Sequence, residues 1–200
     1  MDIKEYDNVK DFSYLQYCDY LQDKYGIGLC NYMTSSWNKN PKISRSKEGL
    51  FVHHKYEDHA ILLSNKNAAK RNPFEWQLAE NMVYCDYLEH LLLHILICEN
   101  PAKDKNKFEA VGIGGVFLIA STLNDFYSGW NTEKLEWMKI CLNKIYNDKE
   151  VYITLLKRFK NSCKNHPKYT NDCLFRSANA QLGTWQYENN QALFDEIAKL

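Results

Sequence analysis

Five of the six histidines in this 200-residue chain lie between residues 53 and 94, and the spacing of four of them suits the binding of a metal ion. His53 and His54 follow the apolar run 50–52, which predicts a short buried strand that delivers both side chains at its end. His90 and His94 lie in the segment YLEHLLLHILI, which predicts a helix. Three of these four rings could bind one cation, and the fourth would then stand where a general base is needed.

The spacing of the second histidine pair is the more informative feature. Residues four apart on a helix share one face, with Cβ atoms about 5–6 Å apart. A tetrahedral metal accepts two ligands at that spacing. The alternative is that His90 and His94 are ordinary core residues, but each ring would then need its own buried polar partner. One cation satisfies both rings together, so we predict that they bind a metal.

A resemblance to a known family follows from a further residue, Asn81. His90 and His94 come nine and thirteen residues after Asn81, and the phrase NMVYCDYLEHLLLH is similar to the N-L-V-x-L-x-x-x-E-H-x-x-x-H block of phage-type HNH proteins. Together with His53 and His54, this pattern resembles the HNH endonucleases, including the colicin-type branch, which have the ββα-metal fold. It covers about fifty residues, a quarter of the chain.

The resemblance implies a role for each of these positions. His53, His90 and His94 match the metal ligands, His54 matches the general base that takes a proton from water, and Asn81 matches the asparagine that ties the two strands and holds the base in line. Three neutral imidazoles leave the cation its charge and an open position for a phosphate oxygen. Neighbouring strand residues point to opposite faces, so the adjacent histidines must diverge unless the strand ends or bulges there.

The activity that the resemblance implies is metal-dependent hydrolysis of nucleic-acid phosphodiester bonds, with DNA as the usual substrate of the family. Three histidine ligands favour Zn²⁺ or another transition metal, with Mn²⁺, Ni²⁺ and Mg²⁺ as alternatives. Relatives of this kind occur in phages, mobile elements, defence systems and toxins, so an immunity or regulatory protein is a possible partner.

One departure from the compact family pattern is the 27-residue interval between His54 and Asn81. Residues 56–80 must form an excursion that returns to the second strand, with helix starts expected at 64–65 and at Pro73. Glu57, Asp58 and His59 open this excursion, and we expect an exposed polar turn. The alternative is that Glu57 or Asp58 orients a histidine of the site, with His59 remaining outside it.

The rest of the chain predicts an α+β, mostly helical protein in one compact unit. Residues 1–48 would form an N-terminal helix (Val9–Tyr25) and a basic loop, residues 49–100 the ββα-metal motif, and residues 101–200 a C-terminal helical bundle. Within the bundle we expect an apolar central helix over Phe108–Tyr127, whose three glycines favour close helix packing, and further helices at 131–146, 151–164 and 190–200.

Composition limits the class of protein. The 25 basic and 25 acidic residues cancel, which argues against binding of nucleic acid through a generally basic surface. Seven cysteines form no CxxC pair, and their odd number fits a reducing cytoplasm, where we place the protein. The apolar runs are too short to span a membrane.

Two local clusters of basic residues are candidates for phosphate contacts. The first is in the loop before the histidine pair and the second is in the predicted helix 151–164. Both have an alternative interpretation as solvated surface. The nucleic-acid-binding residues that we predict are Lys42, Arg45, Lys47, Lys157, Arg158 and Lys160.

Two other functions remain open. In the first, a fourth protein ligand closes a structural metal site in a non-catalytic nucleic-acid- or protein-binding module, and Cys85 and Asp86 are the nearest candidates for that ligand. In the second, the chain is an inhibitor that keeps the nuclease shape and binds a protein partner. An apolar surface without a basic cleft would favour the second.

Overall fold

The computed structural model describes residues 1–129, 135–178 and 187–200. It confirms an α+β, mostly helical protein with a small two-stranded sheet. Within these ranges, no helix is both long and apolar enough to cross a bilayer. The elements are α1 (Ile3–Val9), α2 (Tyr14–Tyr25), β1 (Phe51–His54), α3 (Lys66–Ala69), β2 (Met82–Cys85), α4 (Tyr87–Glu99), α5 (Ile113–Tyr127), α6 (Glu136–Asn143), α7 (Lys149–Cys163) and α8 (Tyr187–Ala198), with short 3₁₀ turns between them.

The two strands pair antiparallel and place the adjacent histidines at the end of β1. His53 lies opposite Val83 and His54 lies opposite Met82. The pairing continues one residue further, since the Lys55 N–H donates to the Asn81 carbonyl oxygen at 2.9 Å. The excursion at 56–80 therefore returns to β1, as the sequence predicted.

Helix α4 starts immediately after β2 because the sequence provides an N-terminal cap there. The Asp86 carboxylate accepts the backbone N–H groups of Leu88 and Glu89, and the Glu89 side chain accepts the Asp86 N–H in return. This reciprocal arrangement satisfies donors that a helix start otherwise leaves unpaired. The helix predicted around His90 and His94 is therefore confirmed, and it ends at Glu99.

The core is built around α4, which is buried on nearly every side. One large hydrophobic cluster combines side chains of α1, α2, β2, α4, α5, α7 and α8. Helix α4 packs most extensively on α5 and α7. Segments 49–100 and 101–200 thus share a core across Pro101. A smaller cluster beneath the excursion contains Tyr32, Met33, Ile43, Ala69 and Met82.

Two of the predicted helices differ from the observed ones. The N-terminal helix is divided into α1 and α2, because Ser13 caps a new helix start and accepts the Gln16 N–H. Helix α5 begins at Ile113 and not at Phe108. The predicted start of the next helix at 131 lies outside the described residues, and the described part is α6.

Two glycines at the start of α5 allow it to approach α4 closely, as the glycine pattern predicted. Gly112 has φ +81° and would place a Cβ atom 2.8 Å from the His94 carbonyl oxygen. A Cβ atom on Gly115 would lie 2.3 Å from Cε1 of the His94 ring. The His94 ring therefore occupies space that any larger residue at 115 would fill.

We predict that Gly115→Ala lowers the free energy of unfolding by about 1–3 kcal/mol, because the new methyl group overlaps a buried ring. Gly114→Ala is the matched control, since a Cβ atom there meets nothing within 4 Å. That substitution should raise stability by about 0.5–1 kcal/mol through helix propensity. Urea unfolding of both variants with a chelator present measures the difference, and equal stability would contradict the packing described.

Candidate metal centre

The end of β1 and one face of α4 bring three histidines together. One ring nitrogen from each of His53, His90 and His94 lies within 4.8 Å of the others, and the group could hold a metal ion. The ring centroid of His53 is 5.2 Å from that of His90 and 5.0 Å from that of His94. His53 and His94 are buried and His90 is partly buried.

Tyr14 on α2 orients the His53 ring. Its hydroxyl group lies 2.8 Å from His53 Nε2, and it donates toward the carbonyl oxygens of Lys55 at 3.1 Å and His54 at 3.3 Å. The hydroxyl group has one proton, and when either carbonyl takes it the hydroxyl oxygen accepts the Nε2–H of His53. Nδ1 of His53 then keeps its lone pair, which is the state that binds a metal.

The distances and unpaired atoms of the cluster fit a bound cation. The Nε2 atoms of His90 and His94 are 3.2 Å apart. Two ligands at about 2.0–2.1 Å from a tetrahedral zinc lie roughly 3.3–3.4 Å apart. Nδ1 of His53 is buried without a hydrogen-bond partner among the described residues. A buried polar atom of this kind calls for a partner, and a cation at the cluster supplies one.

The surroundings keep the imidazoles neutral. Burial lowers the pKa of His53 to about 3, although the Glu57 carboxylate opposes this shift. Burial also lowers the pKa of His90 and of His94. At neutral pH all three rings are therefore unprotonated and able to act as metal ligands.

Glu57 lies among the histidines, and the prediction of an exposed turn there is wrong. Its Oε2 atom is 3.5 Å from His53 Nδ1 and 3.6 Å from His94 Nε2, while Oε1 is 3.6 Å from His54 Nδ1. Burial raises the pKa of Glu57, but the neighbouring imidazoles outweigh it and the net pKa is lowered. The carboxylate is therefore ionised at neutral pH.

The other two residues of the turn pair with each other outside the cluster. The Asp58 carboxylate lies 2.6 Å from Nδ1 of His59, and Asp104 lies 3.2 Å from Nε2 of the same ring. His59 therefore remains outside the site, as the sequence analysis placed it.

His54 is not part of the group formed by His53, His90 and His94, and it is fully buried. Its Nε2 atom lies 3.2 Å from Oε1 of Gln77, and its ring packs at 4.4 Å from the ring of Tyr32. The Gln77 amide nitrogen donates to the Leu63 carbonyl oxygen, so the amide presents its oxygen to His54. His54 therefore donates from Nε2, and Nδ1 is the basic nitrogen directed at Glu57.

The side chain that orients His54 is Gln77 and not Asn81. The Asn81 amide donates to the Glu75 carbonyl oxygen at 2.7 Å, within the excursion. The backbone of Asn81 does join the strands, because its carbonyl oxygen accepts the Lys55 N–H. Asn81 was expected to tie the strands and to hold His54 in line; its backbone does the first, and Gln77 contacts His54 in its place. Gln77 has no motif around it, and its contact with His54 depends on the fold of the excursion.

Two of the six predicted phosphate-binding residues are engaged within the protein. Arg158 forms a two-point ion pair with Glu99, with both N–O distances at 2.8 Å. Arg45 pairs with Glu48 and lies over the Tyr84 ring. Each guanidinium group is therefore already paired with a carboxylate of the protein and is not free for a phosphate. The exposed lysines of the set are Lys42, Lys47 and Lys157, and Lys160 is partly exposed.

A pocket of about 590 Å³ opens on Glu57, His90 and His94. Its walls come from the excursion and the start of α5 and are largely apolar, with Lys168 as a basic side chain. The apolar residues of the wall include Ile61, Leu62, Phe108, Phe117 and Leu118. Phe108 lies between Lys107 and Glu109, and an apolar residue in such polar surroundings could have signalled this pocket in the sequence.

No family model, curated protein or solved structure matches this chain. The resemblance to HNH endonucleases therefore rests on residue types and spacing alone.

We predict that Zn²⁺ stabilises the protein through the cluster. At one hundred times its dissociation constant, a ligand of the native state adds about 2.7 kcal/mol. For a chain of this size, this corresponds to a rise in Tm of roughly 5–10 °C. Thermal unfolding should show the rise in the parent and in His166→Ala, which removes a histidine outside the cluster, but not in His94→Ala. A rise of equal size in His94→Ala would exclude this site.

We also predict that the metal-free protein loses stability as pH falls below about 6.5. The unfolded chain binds protons at histidines near that pH, whereas the pKa values of His53, His90 and His94 are lowered in the folded state. The unfolded state thus binds more protons, and each such histidine contributes up to about 1.4 kcal/mol per pH unit. Urea unfolding between about pH 5 and 7.5 with a chelator measures the slope. Replacing His94 with Gln should reduce it, and a flat profile for the parent would refute the assignment.

Proposed function

We propose that this protein is a metal-dependent hydrolase of nucleic-acid phosphodiester bonds. The observation that supports this proposal is the convergence of His53 with His90 and His94 beside a pocket that His90 and His94 line. The order of strand, strand and helix around these residues is the order that the resemblance to HNH endonucleases implies.

The cation would be held by His53, His90 and His94, and Tyr14 would keep the first of these rings in its ligating tautomer. A divalent ion bound there would stabilise negative charge on a phosphate oxygen and on the leaving oxygen. The proximity of the pocket to His90 and His94 gives a phosphate group access to that position.

The proposed general base is His54, through Nδ1. A neutral imidazole that donates from Nε2 to Gln77 has Nδ1 free to accept a proton from water. Nδ1 of His54 is buried and has no hydrogen-bond partner among the described residues. Since Glu57 lies 3.6 Å from this nitrogen, the carboxylate must give way for a water molecule to reach it.

The nucleic-acid substrate, and DNA in particular, rests on the resemblance. The local cations available for phosphate contacts are the exposed lysines named above together with Lys168 at the pocket. Their number is small, so we expect the affinity to fall only shallowly with salt, because the salt dependence scales with the number of phosphates that the protein neutralises.

The apolar rim of the pocket favours a second function, that of a non-catalytic module that binds a protein partner. Phe108 is 99% exposed, Leu118 is 70% exposed and Leu62 is 61% exposed. Exposed apolar side chains gathered at one place are typical of protein-binding surfaces. In this case the metal would be structural and no phosphodiester would be cleaved.

A plasmid-nicking assay with Zn²⁺, Mn²⁺, Ni²⁺ or Mg²⁺ tests the proposal. We expect the parent to nick DNA, His54→Ala to lose about 10²–10⁴-fold in rate while it keeps its metal, and His94→Ala to lose both. His166→Ala, outside the cluster, serves as the control. A metal-loaded parent that cleaves neither DNA nor RNA with any of the four metals would leave the binding module as the better function.

A further inference from the structure

We propose that Glu57 is the fourth protein ligand of the metal, so that the centre consists of three histidines and one glutamate. This inference deepens the proposed function and rests on its metal centre, but it does not depend on which substrate is cleaved.

The position of Glu57 Oε2 fits a metal ligand better than it fits a group that only orients a ligand through a hydrogen bond. It lies 3.5 Å from His53 Nδ1 and 3.6 Å from His94 Nε2. Both distances are close to the separation of roughly 3.3–3.4 Å between ligands of one tetrahedral zinc. A carboxylate that only oriented a histidine would face the ring nitrogen opposite the metal. For His53 that opposite nitrogen is already taken by Tyr14.

The second carboxylate oxygen of Glu57, Oε1, faces His54 and not the three-histidine cluster. Oε1 lies 3.6 Å from His54 Nδ1, and the far side of that ring is fixed by Gln77. The carboxylate thus lies between the metal cluster and the candidate base. A ligating carboxylate is commonly supported by a second polar group of this kind, which sets its orientation.

The backbone places Glu57 where this contact is made. It lies three residues after His54, in the turn that follows β1, and its N–H donates to the His54 carbonyl oxygen at 3.0 Å. The side chain is 19% exposed, on the side where the pocket opens. A buried carboxylate requires a charged or hydrogen-bonding partner, and a cation is the strongest available.

A centre with four protein ligands would restrict how a substrate phosphate reaches the metal. With Glu57 bound, a phosphate oxygen has to take a fifth position or displace the carboxylate, and displacement would also free His54 Nδ1 for water. One residue would then keep both the cation and the base from solvent until a substrate enters.

The test titrates the full-length metal-free protein with Co²⁺, whose visible absorption reports coordination number and the entry of outside ligands. Glu57→Gln keeps the shape and removes the charge. Glu109→Gln is the matched control, because this carboxylate lines the same pocket but accepts from the Ile61 N–H and from Asn106. Glu57→Asp, which retains a carboxylate, is the second variant.

We expect the parent and Glu109→Gln to show the same tetrahedral spectrum and affinity. Glu57→Gln should bind Co²⁺ more than about 100-fold more weakly, because loss of a group that only supports a ligand already costs roughly 10–100-fold. Its spectrum should change with azide at concentrations that leave the parent unaltered, and Glu57→Asp should lie between the two. Melting of each metal-free variant establishes that it is folded. If Glu57→Gln does not fold, the azide response of the parent and of Glu57→Asp decides.

Equal affinity and spectra for Glu57→Gln and the parent would overturn the proposal, as would a parent spectrum that responds to azide as readily as the variant's. If the parent does not nick nucleic acid but the Co²⁺ titrations give the expected results, the proposed function is wrong and the proposed set of four ligands stands. Failure of the parent to bind Co²⁺ would remove both.

Discussion

The arrangement depends on the cost of burying unpaired polar groups. Three imidazoles and a carboxylate lie together at the junction of the hairpin and the central helix, where water is largely excluded. Burial drives the histidines to the neutral state, and neutral rings leave buried nitrogen atoms without partners. A bound cation would give Nδ1 of His53 a partner and would be held by the facing Nε2 atoms of His90 and His94, so it would turn a destabilising group into a stabilising one.

The scaffold is adapted to this cluster in two ways. Helix α4 is apolar on nearly all sides, so it can form the centre of the core while its histidines meet the end of β1. Helix α5 provides glycine where the His94 ring needs room, and a methyl group there would occupy the volume of the ring. The same packing that stabilises the protein therefore also fixes the direction of a candidate ligand.

The position of Glu57 bears on whether a bound metal would be catalytic or structural. Four protein ligands are typical of structural zinc, whereas an open position is typical of catalytic zinc. Asp86, which the sequence offered as a closing ligand, uses its carboxylate on the helix cap, and Cys85 is buried within β2. A glutamate that both completes the centre and covers Nδ1 of His54 is compatible with either interpretation: the metal would be catalytic if a substrate oxygen displaced the carboxylate, and structural if the carboxylate stayed bound.

The sequence alone determined those features that depend on local spacing. These are the strand before His53, the cap at Asp86 and the helical pair of His90 and His94, since each follows from neighbours along the chain. Tertiary structure alone decided which polar groups meet across the fold. It placed Glu57 among the rings, gave the contact with His54 to Gln77 and paired Arg158 with Glu99. These contacts join residues whose distances depend on how a long excursion and separate helices pack, and periodicity carries no information about that packing.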